Sequence, residues 1–174
     1  MLALLGDVVQ EASAAAGVRA IAVVTSDDDA VRAAAALGVA TVTDGGLPWN
    51  EGLVHALARV PTPGGVTFLA ADLPAVTTAD VEALLEAAPP HGVAIARARD
   101  AGTNALVIVP PRLIVPSFGA PRSAAVHATL AAAAGAAAVV VDRPGLSLDL
   151  DTPEDLTAAL AESPLDRAWR RALG

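Results

Sequence analysis

Short runs of apolar, β-branched residues alternate with longer segments of helical periodicity, and this alternation constrains the fold more than any other feature of the chain. Residues 20–25 form a continuous apolar run, as expected for a parallel strand that is buried on both faces. Segments 28–37 and 50–60 have helical periodicity, with a second strand predicted between them at 39–43. This order predicts β-α units in which helices cover both faces of a sheet.

The same alternation continues to the C-terminus. Further strands are predicted at 66–71, 93–98, 105–109 and 137–141, and further helices at 2–16, 78–88, 123–134, 153–162 and 166–173. A short polar turn at 100–103 is too short for a crossover helix, so it predicts a hairpin and an antiparallel element. No repeat or flexible linker divides the chain, and residues 1–174 are therefore predicted to be one three-layer α/β/α domain with a mostly parallel, Rossmann-like sheet.

Composition excludes several classes of function. The 174 residues include no cysteine, which excludes disulfides, thiolate catalysis and cysteine-ligated metals. The net charge is −8 and all eleven basic residues are scattered arginines, which argues against a nucleic-acid partner. No apolar run is long enough for a membrane helix, and the N-terminus lacks the basic region of a signal peptide. A cytoplasmic protein that binds small molecules is the expectation.

Asp72 is the first candidate for a site residue. It follows the predicted strand 66–71 directly, and Pro74 delays the next helix, so the carboxylate is expected on a loop beyond the carboxyl end of the strand. Ligands of open α/β sheets bind at that edge. The alternative is a turn or helix cap, although Thr77, with Asp80 three residues later, is a better candidate for the cap.

Asp149 and Asp151 form the second candidate site. Two residues apart in an extended segment, they face the same side at about 6–7 Å, a spacing that suits one hard cation such as Mg²⁺. The alternative is that Asp151 or Thr152 simply caps the helix that begins at Pro153. The acidic run 27–29 indicates a helix cap, and the three histidines form no zinc or triad pattern.

Four segments, taken together, carry a resemblance that none of them carries alone. They are Ala-Asp-Leu-Pro at 71–74, Gly-Thr-Asn-Ala-Leu at 102–106, Phe-Gly at 118–119 followed by Ser123 and His127, and Asp-Leu-Asp-Thr-Pro-Glu-Asp-Leu at 149–156. In these segments the chain resembles the guanylyltransferases that make the phosphoenolpyruvate- or 2-phospholactate-linked guanosine diphosphate intermediate of deazaflavin coenzyme F-420 biosynthesis. Asp-Leu-Pro alone indicates only the wider superfamily, which includes the molybdenum-cofactor nucleotidyltransferases.

The resemblance implies a nucleotide-diphospho-sugar transferase-like fold and a role for each matching residue. Asp72, Asp149 and Asp151 would hold Mg²⁺ or Mn²⁺. The pocket for the phosphate and carboxylate of a three-carbon acid would contain Thr103, Asn104, Gly119 and Ser123. An acceptor phosphate oxygen would attack the α-phosphorus of GTP and release pyrophosphate, so no protein nucleophile is needed. Without the family context, Thr103 and Asn104 equally fit a hairpin turn, and Gly119 a loop glycine.

Two features depart from the family pattern. Ser123 follows Gly119 by four residues instead of three, so the loop is one residue longer or the alignment shifts. The family also opens with a strand and a basic loop that holds the triphosphate, whereas this sequence begins at the following helix and has no lysine. Three explanations fit these departures: a longer protein, a variant with another triphosphate site, or an inactive acid-binding relative. The acceptor, the nucleotide and the oligomeric state stay open.

Overall fold

The computed structural model describes residues 2–173, which form eight helices and six strands. The helices are α1 Leu2–Ala14, α2 Asp28–Ala36, α3 Trp49–Leu57, α4 Thr78–Glu86, α5 Ser123–Ala133, α6 Pro144–Ser147, α7 Pro153–Glu162 and α8 Ala168–Arg171. The strands are β1 Ala22–Val24, β2 Ala40–Val42, β3 Val66–Leu69, β4 Gly92–Arg97, β5 Thr103–Val109 and β6 Ala137–Val141. Every predicted element is present, and α6 is an addition. In this part of the chain, no helix is long and apolar enough to span a membrane.

The strands form two sheets. In the larger sheet the order is β3-β5-β4-β6, with β5 antiparallel to β3 and β4, and β6 parallel to β4. The smaller sheet is the parallel pair of β1 and β2. Ile95 lies opposite Leu106, which confirms the hairpin of β4 and β5. The α/β class with an antiparallel element is therefore confirmed, and the insertion of β5 between β3 and β4 makes the antiparallel share larger than predicted.

Strand β1 is less buried than its apolar sequence predicts. Ala22 is exposed, Val23 and Val24 are only half-buried, and the strand pairs along one edge with β2. The prediction that this strand is buried on both faces is wrong. A parallel strand is buried in that way only inside a continuous sheet. Within residues 2–173, no strand pairs with the other edge of β1 or with the outer edge of β3.

The core lies on both faces of the larger sheet because successive strand residues point to opposite sides. Ala94 and Ala96 of β4 pack on one face with residues of α1, α4 and α6. Val93 and Ile95 pack on the other face with residues of α5 and the loop before it. Helices therefore cover both faces of this sheet, as the prediction of three layers requires.

Candidate active site

Asp72 lies half-buried in the loop between β3 and α4. The N-cap of α4 is Thr77, whose Oγ1 accepts a hydrogen bond from the Asp80 amide nitrogen at 3.2 Å. The Asp80 carboxylate in turn accepts from the Thr77 amide at 3.1 Å. These two residues complete the predicted capping box. Asp72 is therefore not needed as a cap, and its carboxylate can serve a ligand.

Asp149 and Asp151 lie in the loop between α6 and α7, the first half-buried and the second exposed. Thr152 is the N-cap of α7, and its Oγ1 accepts from the Asp155 amide nitrogen at 3.2 Å. The Asp155 carboxylate accepts from the Thr152 amide at 2.8 Å. Of the two caps that the sequence allows, the structure uses Thr152. Both carboxylates of the Asp-Leu-Asp segment therefore remain outside the cap.

The three aspartates are near enough to affect one another's ionisation. Burial raises the pKa of Asp72, and the charge of Asp151 raises it further. Burial also raises the pKa of Asp149, to which the charges of Asp151 and Asp72 add, while hydrogen bonding from Asn104 opposes the rise. Three carboxylates that repel one another create a negative potential that a cation would relieve.

The donor set fits a magnesium ion that is shared with a substrate. Among the described residues, no group of three or more acidic or histidine side chains lies together in a way that could hold a metal ion, so Asp72, Asp149 and Asp151 do not form a three-carboxylate metal site in this structure. Mg²⁺ commonly uses one or two protein carboxylates and completes its coordination with waters and substrate phosphates. Oxygen ligands, half-burial and mutual repulsion at Asp72 and Asp149 match this requirement.

Strand pairing brings the second group of candidate residues to the same edge of the sheet. Because β5 runs antiparallel to β3, the start of β5 lies beside the end of β3, where the Ala70 amide donates to the Asn104 carbonyl at 2.8 Å. Thr103 and Asn104 are the first two residues of β5 and are buried, so the expectation that they lie on a loop is wrong. The hairpin turn ends earlier, and both residues pair within the sheet.

Thr103 and Asn104 serve opposite faces of the sheet, as neighbours on a strand must. The Asn104 side-chain amide donates to the Leu146 carbonyl of α6 at 3.1 Å, on the side of Asp149. On the other side, the Thr103 Oγ1 accepts from Ser123 Oγ at 3.0 Å and lies 3.0 Å from His127 Nδ1. The start of β5 therefore joins the aspartates to a pair of hydroxyl groups.

The loop that carries Gly119 is held against the start of α3. The Asn50 side chain accepts from the Phe118 amide at 2.8 Å and donates to the Phe118 carbonyl at 2.9 Å. Gly119 has a φ of +73°, and a Cβ there would lie 3.3 Å from the Trp49 ring. The positive φ favours glycine at this position, and any side chain would also require the exposed Trp49 ring to shift by a few tenths of an ångström. Asn50 and Trp49 could not be predicted as part of this region, because the sequence around them contains no signal beyond the start of a helix.

The wider spacing between Gly119 and Ser123 is absorbed by a turn. The Ser123 amide donates to the Ala120 carbonyl at 3.1 Å, and Arg122 adopts a left-handed conformation with a φ of +57°. This turn places Ser123, which is buried, at the first position of α5 beside Thr103. The longer loop therefore still delivers the serine hydroxyl to the threonine.

Solved structures define the class of fold. The chain is similar to CMP:2-keto-3-deoxy-manno-octonic acid synthetase in complex with CTP, with a TM-score of 0.67, 17% identity and coverage of 91% of this chain and 86% of that one. It is also similar to a proposed nucleotide-diphospho-sugar transferase from Desulfovibrio desulfuricans G20, with a TM-score of 0.71, 19% identity and coverage of 98% and 78%. The chain therefore shares the α/β fold of these two proteins.

Sequence comparison narrows this class to one family. Residues 1–163 match the family described as "Guanylyl transferase CofC like". A phosphoenolpyruvate guanylyltransferase from Rubrobacter xylanophilus is 38% identical over 90% of this chain and 78% of its own length. One from Streptomyces avermitilis is 41% identical over 92% of this chain and 74% of its own length. The chain belongs to the CofC-like guanylyltransferase family, and the predicted resemblance is confirmed.

Proposed function

We propose that the protein transfers GMP from GTP to a phosphorylated three-carbon acid, with release of pyrophosphate, in cytoplasmic synthesis of coenzyme F-420. Phosphoenolpyruvate, the acid named for the curated relatives, is the preferred acceptor over 2-phospho-L-lactate. The hydrogen bond between the Ala70 amide and the Asn104 carbonyl carries this proposal, because it sets an acidic cluster and a hydroxyl pair at one sheet edge.

Each half of the site has a task in this reaction. Asp72, Asp149 and Asp151 would hold Mg²⁺ or Mn²⁺, which neutralises negative charge on phosphate oxygens when bound. Thr103 is a small hydroxyl donor suited to the phosphate or carboxylate of the acid, and Ser123 supports it by donating its own proton to Thr103 Oγ1. Held there, the acid presents a phosphate oxygen to the α-phosphorus of GTP for in-line attack, so the chain supplies position and charge and no nucleophile.

Replacing Asp72 or Asp149 by Asn should weaken Mg²⁺ or Mn²⁺ binding at least tenfold, about 1.4 kcal/mol, because each change removes a charged oxygen ligand. The same changes should stabilise the protein without metal. Asp72 and Asp149 both have a raised pKa in the folded state, so their ionisation destabilises the folded protein. This destabilisation is absent below the pKa of the unfolded state and complete above the pKa of the folded state. At pH 7 a neutral Asn removes that cost. Calorimetry and thermal unfolding with and without metal measure the two effects.

The matched control for this prediction is Asp29→Asn. Asp29 is an exposed carboxylate on α2 that pairs with Arg32, so the change removes the same charge away from the site. Its metal affinity should equal that of the wild type. Unchanged metal affinity in both Asp72→Asn and Asp149→Asn would contradict the metal site.

Thr103→Val should weaken phosphoenolpyruvate binding about tenfold in the presence of Mg²⁺, because it removes a hydroxyl donor to a charged ligand. The change should also lower the free energy of unfolding by about 1–3 kcal/mol, since Ser123 and His127 lose a buried partner. Thr103→Ser keeps the hydroxyl and should retain most of the affinity for phosphoenolpyruvate and most of the free energy of unfolding. Titration calorimetry with the acid and urea unfolding test these values.

Binding by the wild-type chain tests the proposal as a whole. If the protein binds none of phosphoenolpyruvate, 2-phospho-L-lactate and 3-phosphoglycerate in the presence of Mg²⁺, the proposed acid pocket is contradicted. Binding of an acid with no binding of GTP, by a chain that includes the family's nucleotide loop, would favour a non-catalytic acid-binding protein. Binding of another nucleotide in preference to GTP would favour a related transferase.

A further inference from the structure

His127 is completely buried, and both of its ring nitrogens are engaged. The backbone amide of Ser117 donates to His127 Nε2 at 2.9 Å. A backbone amide can only donate, so Nε2 must be the acceptor and carries no proton. A neutral imidazole with an unprotonated Nε2 has its proton on Nδ1. Loop 117–118 therefore fixes the tautomer of this ring.

The protonated Nδ1 faces Thr103. The distance from His127 Nδ1 to Thr103 Oγ1 is 3.0 Å, and with the tautomer fixed the imidazole is the donor. Burial lowers the pKa of His127 to about 4, so the ring is neutral at physiological pH. The Phe118 ring packs against the imidazole edge-on, with centroids 5.2 Å apart, and holds its orientation.

Thr103 Oγ1 consequently accepts two hydrogen bonds. The second comes from Ser123 Oγ at 3.0 Å. A hydroxyl oxygen has two acceptor positions and one proton. Both acceptor positions of Thr103 are occupied, and among residues 2–173 its hydroxyl donates to no other group. The remaining capacity of this hydroxyl is the donation of its proton.

We propose that His127 is a positioning residue, which makes the Thr103 hydroxyl an obligate donor toward an anionic oxygen of the acceptor acid. The inference rests on the proposed function, since the acid is the ligand that would receive this hydrogen bond. A freely rotating hydroxyl could accept from a cation's water or a neutral amide as readily as it donates. With both acceptor positions filled, Thr103 favours phosphate or carboxylate oxygen over hydrogen-bond donors, and the pocket gains selectivity for an anion.

The tautomer of His127 can be measured without any ligand. Nitrogen-15 NMR of histidine-labelled protein at pH 7 distinguishes protonated from unprotonated ring nitrogens, and His55→Asn and His91→Asn assign the other two rings. The expected result is a neutral His127 ring with its proton on Nδ1. A proton on Nε2, or a doubly protonated ring, would overturn the proposal.

Two substitutions separate the two ring nitrogens in a binding experiment. His127→Asn places an amide donor near the position of Nδ1, whereas His127→Gln reaches the position of Nε2 and loses the donor to Thr103. His127→Gln should weaken phosphoenolpyruvate binding about tenfold with Mg²⁺ present, and His127→Asn should weaken it less than about threefold. Calorimetry gives the affinities, and thermal unfolding checks that each variant is folded at the assay temperature.

A double-variant comparison distinguishes a positioning role from a purely structural one. If His127 acts through the Thr103 hydroxyl, His127→Gln should cause no further loss of affinity in a Thr103→Val background. Equal binding by wild type and His127→Gln, or additive losses in the double variant, would overturn the proposal. A wild-type protein that binds none of the acids would instead overturn the proposed function, and the NMR result would still decide which atom donates to Thr103.

Discussion

Residues 1–174 assayed alone should form less than about one hundredth of the guanylylated product that the same chain forms when a strand and a basic loop precede residue 1. Transfer from GTP spreads negative charge over the triphosphate, and loss of one donor aimed at such charge typically costs about 10²–10³ in rate. These 174 residues contain no lysine. The assay is pyrophosphate release from GTP and phosphoenolpyruvate, with mass detection of the product.

The structure provides a place for the added strand. Among residues 2–173, β1 pairs only with β2 and β3 only with β5, so each of these strands has one edge without a partner strand there. An extension of about 35–40 residues, the length that the resemblance to the family implies for a strand and a basic loop, should pair there and carry the loop to the aspartates. Asp72→Asn in the extended protein should abolish the restored activity, whereas Asp29→Asn should leave it unchanged.

The alternative to an added basic loop is that arginines near the hairpin bind the triphosphate. Arg97 pairs with Asp142 at 3.0 Å and Arg99 with Glu162 at 2.5 Å, and all four side chains are exposed. Exposed pairs of this kind are worth little and exchange readily with other anions. Full turnover by residues 1–174, lost in Arg97→Ala or Arg99→Ala, would show that these arginines hold the triphosphate and that the added loop is not required.

The parts of the fold that sequence predicts are those set by local pattern. Helical periodicity and caps are local signals, which is why the capping box at Thr77 could be predicted and is present, and why Thr152 was one of the two predicted caps of α7. The hairpin followed from the shortness of its turn. The single turn of α6 was missed because Pro144–Ser147 is too short to show a helical period, and its place depends on contacts with distant residues.

The site was predictable only in part for the same reason. Candidate residues could be selected from motifs, but which of them meet depends on strand register. The antiparallel pairing of β5 with β3 moves Thr103 and Asn104 from an expected turn into the sheet, beside the loop of Asp72. The role of His127, which belongs to the motif with Phe118, Gly119 and Ser123, could not be predicted from the sequence. Its two hydrogen bonds join residues that are 10 and 24 positions away.

Asp80→Ala should lower the free energy of unfolding by about 3 kcal/mol, the low end for loss of one partner from a buried ion pair. The buried Asp80 carboxylate accepts from the Thr77 amide at 3.1 Å, from Thr77 Oγ1 at 2.7 Å and from Arg143 Nε at 2.8 Å. Alanine leaves these donors without a partner, although partial exposure of Arg143 limits the cost. Urea unfolding measures the change.

The second capping box provides the matched control for Asp80. Asp155 makes the same two bonds to Thr152 at the start of α7, but it is only half-buried, and among the described residues it forms no salt bridge with an arginine. Asp155→Ala should therefore cost only about 1 kcal/mol, the ordinary value of a cap. The difference of about 2 kcal/mol reports the greater burial of Asp80 together with its bond to Arg143, which ties α4 to the segment leading to Asp149. Equal costs in the two variants would show that this bond contributes nothing beyond the cap.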